Sequence, residues 1–337
     1  PSGRPMGHVG PLVVGRVTYQ VGSTLYAADP LDGKTLWSRR QVARGSLLYG
    51  MSGYVFVEET ERRKILVLSG DDGTLLATRR LPEEATVVAR SGRHLVYSLT
   101  GVGDQQVHCL DLVSGKEAWF QEIDGEFPPV AAGTDTVALL DALGRFQVLD
   151  VASGQPRVDM KLAGAEEALA FNVLVTPRRY IVMINRSMRE VVRGVSNRAL
   201  IVNGEVWGIA RPAWREGGSS KTGPVTEATW GPLTIERQAI ELGQQRHLPV
   251  LVFVSRVYRR VQNKLLPRPQ TEYSVLVLDQ RNGQLVHKGS STLSISTMRA
   301  RANPDQQQIK LQFLRTTLDL TFTDQPPPKP ATRPPGS

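Results

Sequence analysis

An all-β fold of repeated four-stranded antiparallel blades, a β-propeller, is what this sequence predicts. Three observations carry the prediction. A turn motif recurs at a near-constant spacing, and three short strand-like runs stand before its clearest copies. No apolar run in the 337 residues approaches the roughly twenty needed for a membrane-spanning helix.

The motif is clearest in ADPLDGKTLWSRR, Ala28 to Arg40, where Asp29, Gly33 and Trp37 stand four apart. Downstream, LSGDDGTLLATRR places Ser69, Gly73 and Ala77, and LDLVSGKEAWFQE places Asp111, Gly115 and Trp119. LDVASGQPRVDMK places Asp150, Gly154 and Val158, and LDQRNGQLVHKGS places Asp279, Gly283 and His287. Successive glycines are 40, 42, 39 and 129 residues apart. A fixed period in this range marks a solenoid or propeller.

One copy reads directly as physics. The run before each turn alternates, as at Leu25 and Ala27 or Val107 and Cys109, which is the pattern of a half-buried strand. The turn residues follow: glycine takes φ > 0 without steric cost, and a leading Asp can bond its own backbone. Trp37 or Trp119 then sits on the returning strand, a large apolar plate for the neighbouring unit.

The preceding strands complete each blade. GPLVV, RVTYQV and TLYAAD lead into the first turn, and SLLYG, YVFVEE and KILVLS into the second. TVVAR, HLVYSLT and QQVHCLDL lead into the third, and PPVAA, TVALLDA and RFQVLDV into the fourth. Four short strands per repeat make a four-stranded blade, so residues 10–162 hold four blades. RRYIVMINRS and RALIVNGEVWGIARPAW read as a fifth, with Trp207 or Trp214 near its end. WGPLTIERQAI, LPVLVFVSRVYRR, YSVLVLDQ and QLVHKG read as a sixth, and STMRARA, QIKLQFLR and TLDLTFTD as three strands of a seventh. About seven blades are expected, within a range of six to eight. PMGHVGPL or a portion upstream of this sequence could supply the last blade's missing strand, since an open ring leaves exposed edges. The propeller spans 1–324, and the Pro-rich tail 325–337 cannot build a core.

The net charge is +9 with pI about 9.8, and much of it comes as Arg pairs. Arg39-Arg40 and Arg79-Arg80 follow their turns at one offset, which puts them on the outermost strand, where charge blocks sheet-to-sheet pairing. The other role for such pairs is a basic surface for a polyanion, nucleic acid or anionic lipid. Cys109 is the single cysteine, reads as a small buried hydrophobe, and allows no intrachain disulfide. The chain opens PSGRPMGH without an initiator Met, as a processed chain or a piece of a longer one would.

With LYAAD, HCLDL and VLVLD leading into DGKTLW, SGKEAW and NGQLVH, the repeats resemble the pyrroloquinoline-quinone-like (PQQ-like) propeller repeat over about residues 10–290. That resemblance implies a fold shared by quinone-dependent dehydrogenases and by non-catalytic scaffolds such as an envelope lipoprotein that assists outer-membrane barrel assembly. The dehydrogenases hold their cofactor over calcium, often against a vicinal disulfide, and a lone Cys109 excludes that disulfide. The acidic pairs Glu58-Glu59, Asp71-Asp72, Glu83-Glu84 and Glu166-Glu167 read as turn or exposed residues rather than converging cation ligands. His8, His94, His108, His247 and His287 show no metal-ligand spacing. EGGSSKTG fails as a phosphate loop because Ser220, not Gly, precedes Lys221. No catalytic, metal or cofactor-binding residue is therefore assigned, and no cofactor is expected. The residues that define the chain are those of the repeat: Asp29, Gly33, Trp37, Gly73, Asp111, Gly115, Trp119, Asp150, Gly154, Asp279 and Gly283.

The expected function is a protein-interaction scaffold, placed in a bacterial cell envelope or periplasm by the resemblance. A dehydrogenase-like enzyme and a polyanion binder are the alternatives. The insertions 188–197, 215–228 and 261–272 are candidate partner-facing loops, or simply tolerated surface insertions. The sequence names neither the partner nor the oligomeric state.

Overall fold

The computed structural model describes residues 9–13, 15–51, 53–101, 104–125, 127–186, 199–212, 223–241, 248–260, 269–293, 298–303, 306, 308–313 and 316–321. The chain forms two compact units, Pro1–Glu166 with Ser219–Thr226, and Glu167–Gly218 with Glu227–Ser337. Among the described residues no helix is long and apolar enough to cross a membrane.

The first unit holds four antiparallel sheets of four strands each. Blade one is β1 (Val9–Val13), β2 (Arg16–Val21), β3 (Thr24–Ala28) and β4 (Thr35–Arg39). Blade two is β5 (Leu47–Met51), β6 (Tyr54–Glu59), β7 (Lys64–Ser69) and β8 (Leu75–Arg80). Blade three is β9 (Thr86–Ser91), β10 (His94–Thr100), β11 (Asp104–Asp111) and β12 (Glu117–Asp124). Blade four is β13 (Val130–Ala131), β14 (Thr136–Leu140), β15 (Arg145–Asp150) and β16 (Pro156–Lys161). The fold class is therefore the expected β-propeller of four-stranded blades.

Burial follows from stacking one blade on the next. Strand β6 is buried almost throughout because blades lie on both of its faces. Val55 and Val57 join Leu25, Ala27 and Trp37 of blade one, while Phe56 joins Leu95 and Leu112 of blade three. Blade three then meets blade four through Val96, Val107, Cys109, Val137, Leu139 and Leu149. Each buried aliphatic side chain is worth about 1.5–3 kcal/mol. The cores are thus interfaces between blades, and a blade without neighbours would keep little of that stabilisation.

The second unit departs from the expected pair of separate blades. Strands β17 (Ala170–Val175), β18 (Arg179–Asn185), β19 (Ala199–Ala210), β20 (Trp230–Glu241), β21 (Val250–Arg260), β22 (Pro269–Asp279) and β23 (Leu285–Leu293) form one seven-stranded sheet in sequence order. Strand β20 is the reason. Its start, beside β19, is the outer strand of blade five, and its end pairs with β21 at Ala239↔Val254 and Ile240↔Phe253, where the first strand of blade six would lie. WGPLTIERQAI thus opens as blade five and finishes as blade six. After the cis Gly231–Pro232 bond, residues 233–241 contain no glycine or proline, so the strand runs on through one register shift against β19, between Ile235 and Gln238.

Strands β24 (Met298–Asn303), β25 (Gln308–Phe313) and β26 (Thr316–Thr321) form the expected three-stranded sheet. With the seven-stranded sheet counted as two blades, the strands account for about seven. The N-terminal stretch suggested for the last blade behaves differently: Val9–Val13 pairs with β2 as the first strand of blade one. Residues 1–8 and the tail 325–337 lie outside the described residues.

Candidate functional site

The repeated turn has one geometry at all five copies. The leading residue's N–H donates to the carbonyl five residues on: Asp29 to Lys34, Ser69 to Thr74, Asp111 to Lys116, Asp150 to Gln155 and Asp279 to Gln284, each at 2.9 Å. The N–H groups of Gly33, Gly73, Gly115, Gly154 and Gly283 return to the leading carbonyls at 2.7–3.0 Å, with φ between 69° and 73°. That left-handed backbone is the reason glycine stands there. Asp29, Asp150 and Asp279 also accept a backbone N–H on Oδ1, from Leu31, Ser153 and Arg281. Just after each turn the register slips by one residue, as between Ala27 and Ala28 or Cys109 and Leu110, a bulge that sharpens the twist into the outer strand.

The outer strand then latches onto the next blade's turn. Trp37 Nε1 donates to the Gly70 carbonyl at 3.0 Å, Trp119 Nε1 to Val151 at 2.8 Å, and Trp230 Nε1 to Gln280 at 2.9 Å. Each ring lies flat on the turn glycine, so that a Cβ at Gly73, Gly154 or Gly283 would fall 2.6, 2.7 or 2.8 Å from it. Trp230, not Trp207 or Trp214, is thus the latch of blade five; Trp207 is buried within β19, and Trp214 lies outside the described residues.

Blade two lacks the tryptophan, and Ala77 does not stand in for it. Arg79, two residues on and so on the same strand face, donates to the Leu112 and Val113 carbonyls at 2.9 and 2.6 Å and covers Gly115. A second arginine joins two of the latches. Arg16 donates to Gly70 at 2.6 Å, on the carbonyl that Trp37 uses, and Arg179 donates to Gln280 at 2.8 Å, on the carbonyl that Trp230 uses. Arg16 and Arg179 each open the second strand of their blade. That position, together with the arginine two places past the latch position, is the signal a sequence reading could have used.

The arginine pairs therefore divide their work. Arg79 and Arg179 reach backbone carbonyls of the next blade, while Arg40 and Arg80 are exposed. A third pair, Arg62 and Arg63, stands at the turn between β6 and β7. The side chains of Arg259 and Arg260 lie outside the described residues.

Buried charge is neutralised in place. Glu58 and Glu59, expected at exposed positions, are 3% and 1% exposed. They sit on β6, whose faces are both covered, so adjacent residues are buried together. Arg90 grips Glu58 with two bonds of 2.6 Å, and Glu59 accepts the Ala43 N–H and pairs with Lys64. Burial works to raise the Asp111 carboxyl, but bonds from Arg93 and from the Ser114 and Val113 N–H groups outweigh it and hold it well below the usual range. Arg157, 3% exposed, pairs with both Asp135 and Asp150. Against burial, its bonds and those of Ser153 hold the Asp150 carboxyl below its ordinary value. Cys109 is fully buried, and burial pushes its thiol up to about 12, the opposite of a reactive thiolate. His108 stacks on Tyr97 and lies tilted against Phe120, with Nδ1 2.7 Å from Glu117. Among the described residues no group of three or more His, Cys, Asp or Glu could hold a metal ion.

The insertion 215–228 has one visible role. Its end adds a short parallel bridge to the outer strand of blade four, Val158↔Val225, with Val225 N–H on Arg157 and Asp159 N–H on Val225, both at 3.0 Å. The insertion 188–197 lies outside the described residues, and of 261–272 only the strand backbone from Pro269 is described.

A family described as outer membrane protein assembly factor BamB matches residues 21–225. The chain belongs to this family. The span that defines it as a BamB-family chain carries the turns at Gly33, Gly73, Gly115 and Gly154 with the latches of Trp37, Arg79 and Trp119. Among solved structures it is similar to BamB from Moraxella catarrhalis, with 14% identity over 93% of this chain and 84% of that one and a TM-score of 0.35. It is also similar to the WD40 domain of SCAP from fission yeast, with 10% identity over 88% and 77% and a TM-score of 0.41. No curated protein matches.

Proposed function

We propose that this chain is a non-catalytic scaffold that binds a protein partner in a bacterial cell envelope. The match of residues 21–225 to a family described as an outer membrane protein assembly factor carries the reading. The chemistry of the motif is consistent with it. The polar groups of the turns and latches are engaged with neighbouring backbone, and the buried carboxylates Glu58, Glu59 and Asp150 are matched by cations. Such a frame holds loops rigidly, and loops on a rigid frame are where binding residues collect.

The test is a crosslinked pulldown from envelope extract at low and high salt. A stoichiometric protein that stays bound at high salt supports the scaffold, because apolar contacts are little screened. Capture that disappears at high salt, with nucleic acid or lipid in the eluate, overturns it in favour of the basic surface.

A further inference from the structure

The long strand β20 that fuses blades five and six leaves a cleft beside it. Its register with β21 runs through Ala239↔Val254 and Ile240↔Phe253. Before that point, Thr234, Ile235 and Gln238 of β20 pair with β19 on one side, at Glu205, Gly204 and Val202, and among the described residues 234–238 have no strand register on the other. Strand β21 meanwhile continues to Arg260 on β22 alone. A cavity of about 320 Å³ opens along this stretch, with Thr234, Ile235, Glu236 and Gln238 on one wall and Ser274, Leu276 and Lys288 of β22 and β23 among the residues of the other. That volume is at the lower end of ligand cavities, about 300–1,000 Å³.

The walls say what kind of ligand fits. Gln238 Oε1 is shut off from solvent and meets no hydrogen-bond donor among the described residues. A buried acceptor without a donor is costly, and a ligand bringing an N–H would satisfy it once the amide turns toward the cavity. Ile235 and Val275 give the cavity apolar surface, while Glu236 and Lys288 set one carboxylate and one ammonium at exposed positions along it. Opposite charges in equal number select no net charge. Recognition then falls to backbone pairing along an open strand edge, and the molecule that pairs so is an extended peptide.

We infer that the cleft between residues 234–238 of β20 and the β22–β23 face binds an extended peptide segment, which adds to β20 as a strand and donates a backbone N–H to Gln238. The inference rests on the scaffold reading and gives it a site. The fused sheet has a role on this account: pairing of Ala239 and Ile240 with β21 closes one end of the edge that residues 234–238 leave unpaired.

The probe is a displayed library of random short peptides selected against the full chain, with the enriched peptides synthesised and labelled for anisotropy titration. The expected result is binding that is insensitive to salt and weakens about tenfold or more, at least ~1.4 kcal/mol, on Ser274→Trp, which fills the cavity. N-methylation of the central peptide residues should weaken it similarly, because it removes the N–H that pairs. Gln238→Leu should also weaken it, and this variant decides the matter if Ser274→Trp proves unfolded by thermal melting. Amide exchange at residues 234–238 should slow when peptide is added. No enrichment over a blank surface overturns the site, and so does equal binding to the wild type and the folded variants. Either failure leaves the envelope pulldown untouched, so loss of the site and loss of the scaffold reading are told apart.

Discussion

The two units obey the same latch rule and differ in what lies between latches. In the first unit the chain leaves each outer strand, passes through a short connection and starts the next blade afresh: β4 ends at Arg39 and β5 begins at Leu47, and β8 ends at Arg80 and β9 begins at Thr86. Those connections contain breakers. Gln41 and Gly45 take positive φ, and Pro82 stands after β8. In the second unit Trp230 latches onto Gln280 just as Trp37 latches onto Gly70, yet the strand then runs on through Glu241. The latch sets which turn a strand docks on, and the residues after it set whether the blade ends.

The largest effects should come from the latch rings. Trp37→Ala and Trp230→Ala should each cost about 3–5 kcal/mol, read by chemical denaturation. Amide exchange should show the loss confined to the unit that carries the substitution, and loss spread evenly over both would break the comparison. Arg79→Ala should cost less, about 1–3 kcal/mol, because it removes hydrogen bonds and little buried apolar area. Glu236→Gly places a breaker between the latch of β20 and its pairing with β21 and should cost about 0.5–1 kcal/mol. Its exchange signature should appear at the end of β20 and leave blades one to four unchanged.

The effect smallest at neutral pH appears only in acid. The Asp111 and Asp150 carboxyls lie below their ordinary value in the folded chain, held there by Arg93 and Arg157 against burial. A depressed carboxyl contributes stability above its unfolded value, near pH ~3.9, and loses it as pH falls further toward the folded value. Stability of the first unit should therefore decline below about pH 4. Arg93→Gln should flatten the part of that decline due to Asp111.

How much of this was legible in the sequence depends on how local the cause is. The turns were readable because glycine at Gly33 or Gly115 and the Asp before it act within a few residues, and their spacing repeats. The four blades of the first unit follow from them. Glu58 and Glu59 misled because their burial comes from blades on both sides of β6, which a single strand's pattern does not record. The Arg79 latch was hidden because a guanidinium reaching two carbonyls replaces a ring, so the motif's chemistry changed while its docking target stayed. The fused sheet was hidden for another reason: LTIERQAIE reads equally well as one long strand or as the end of one and the start of another. The peptide cleft inherits that ambiguity, since its closed end is the pairing of Ala239 and Ile240 with β21.

The most direct test of the latch rule compares Gly73→Ala, Gly154→Ala and Gly115→Ala by chemical denaturation. Their φ values are 72°, 69° and 73°, so the backbone strain of a Cβ is common to all three and cancels. What differs is the cover: tryptophan rings over Gly73 and Gly154, and the end of the flexible Arg79 side chain over Gly115. The account predicts that Gly73→Ala and Gly154→Ala cost more than Gly115→Ala by at least about 1 kcal/mol, because a packed ring must be displaced where an arginine can swing aside. Equal losses at all three would contradict the claim that the outer-strand rings hold one blade to the next.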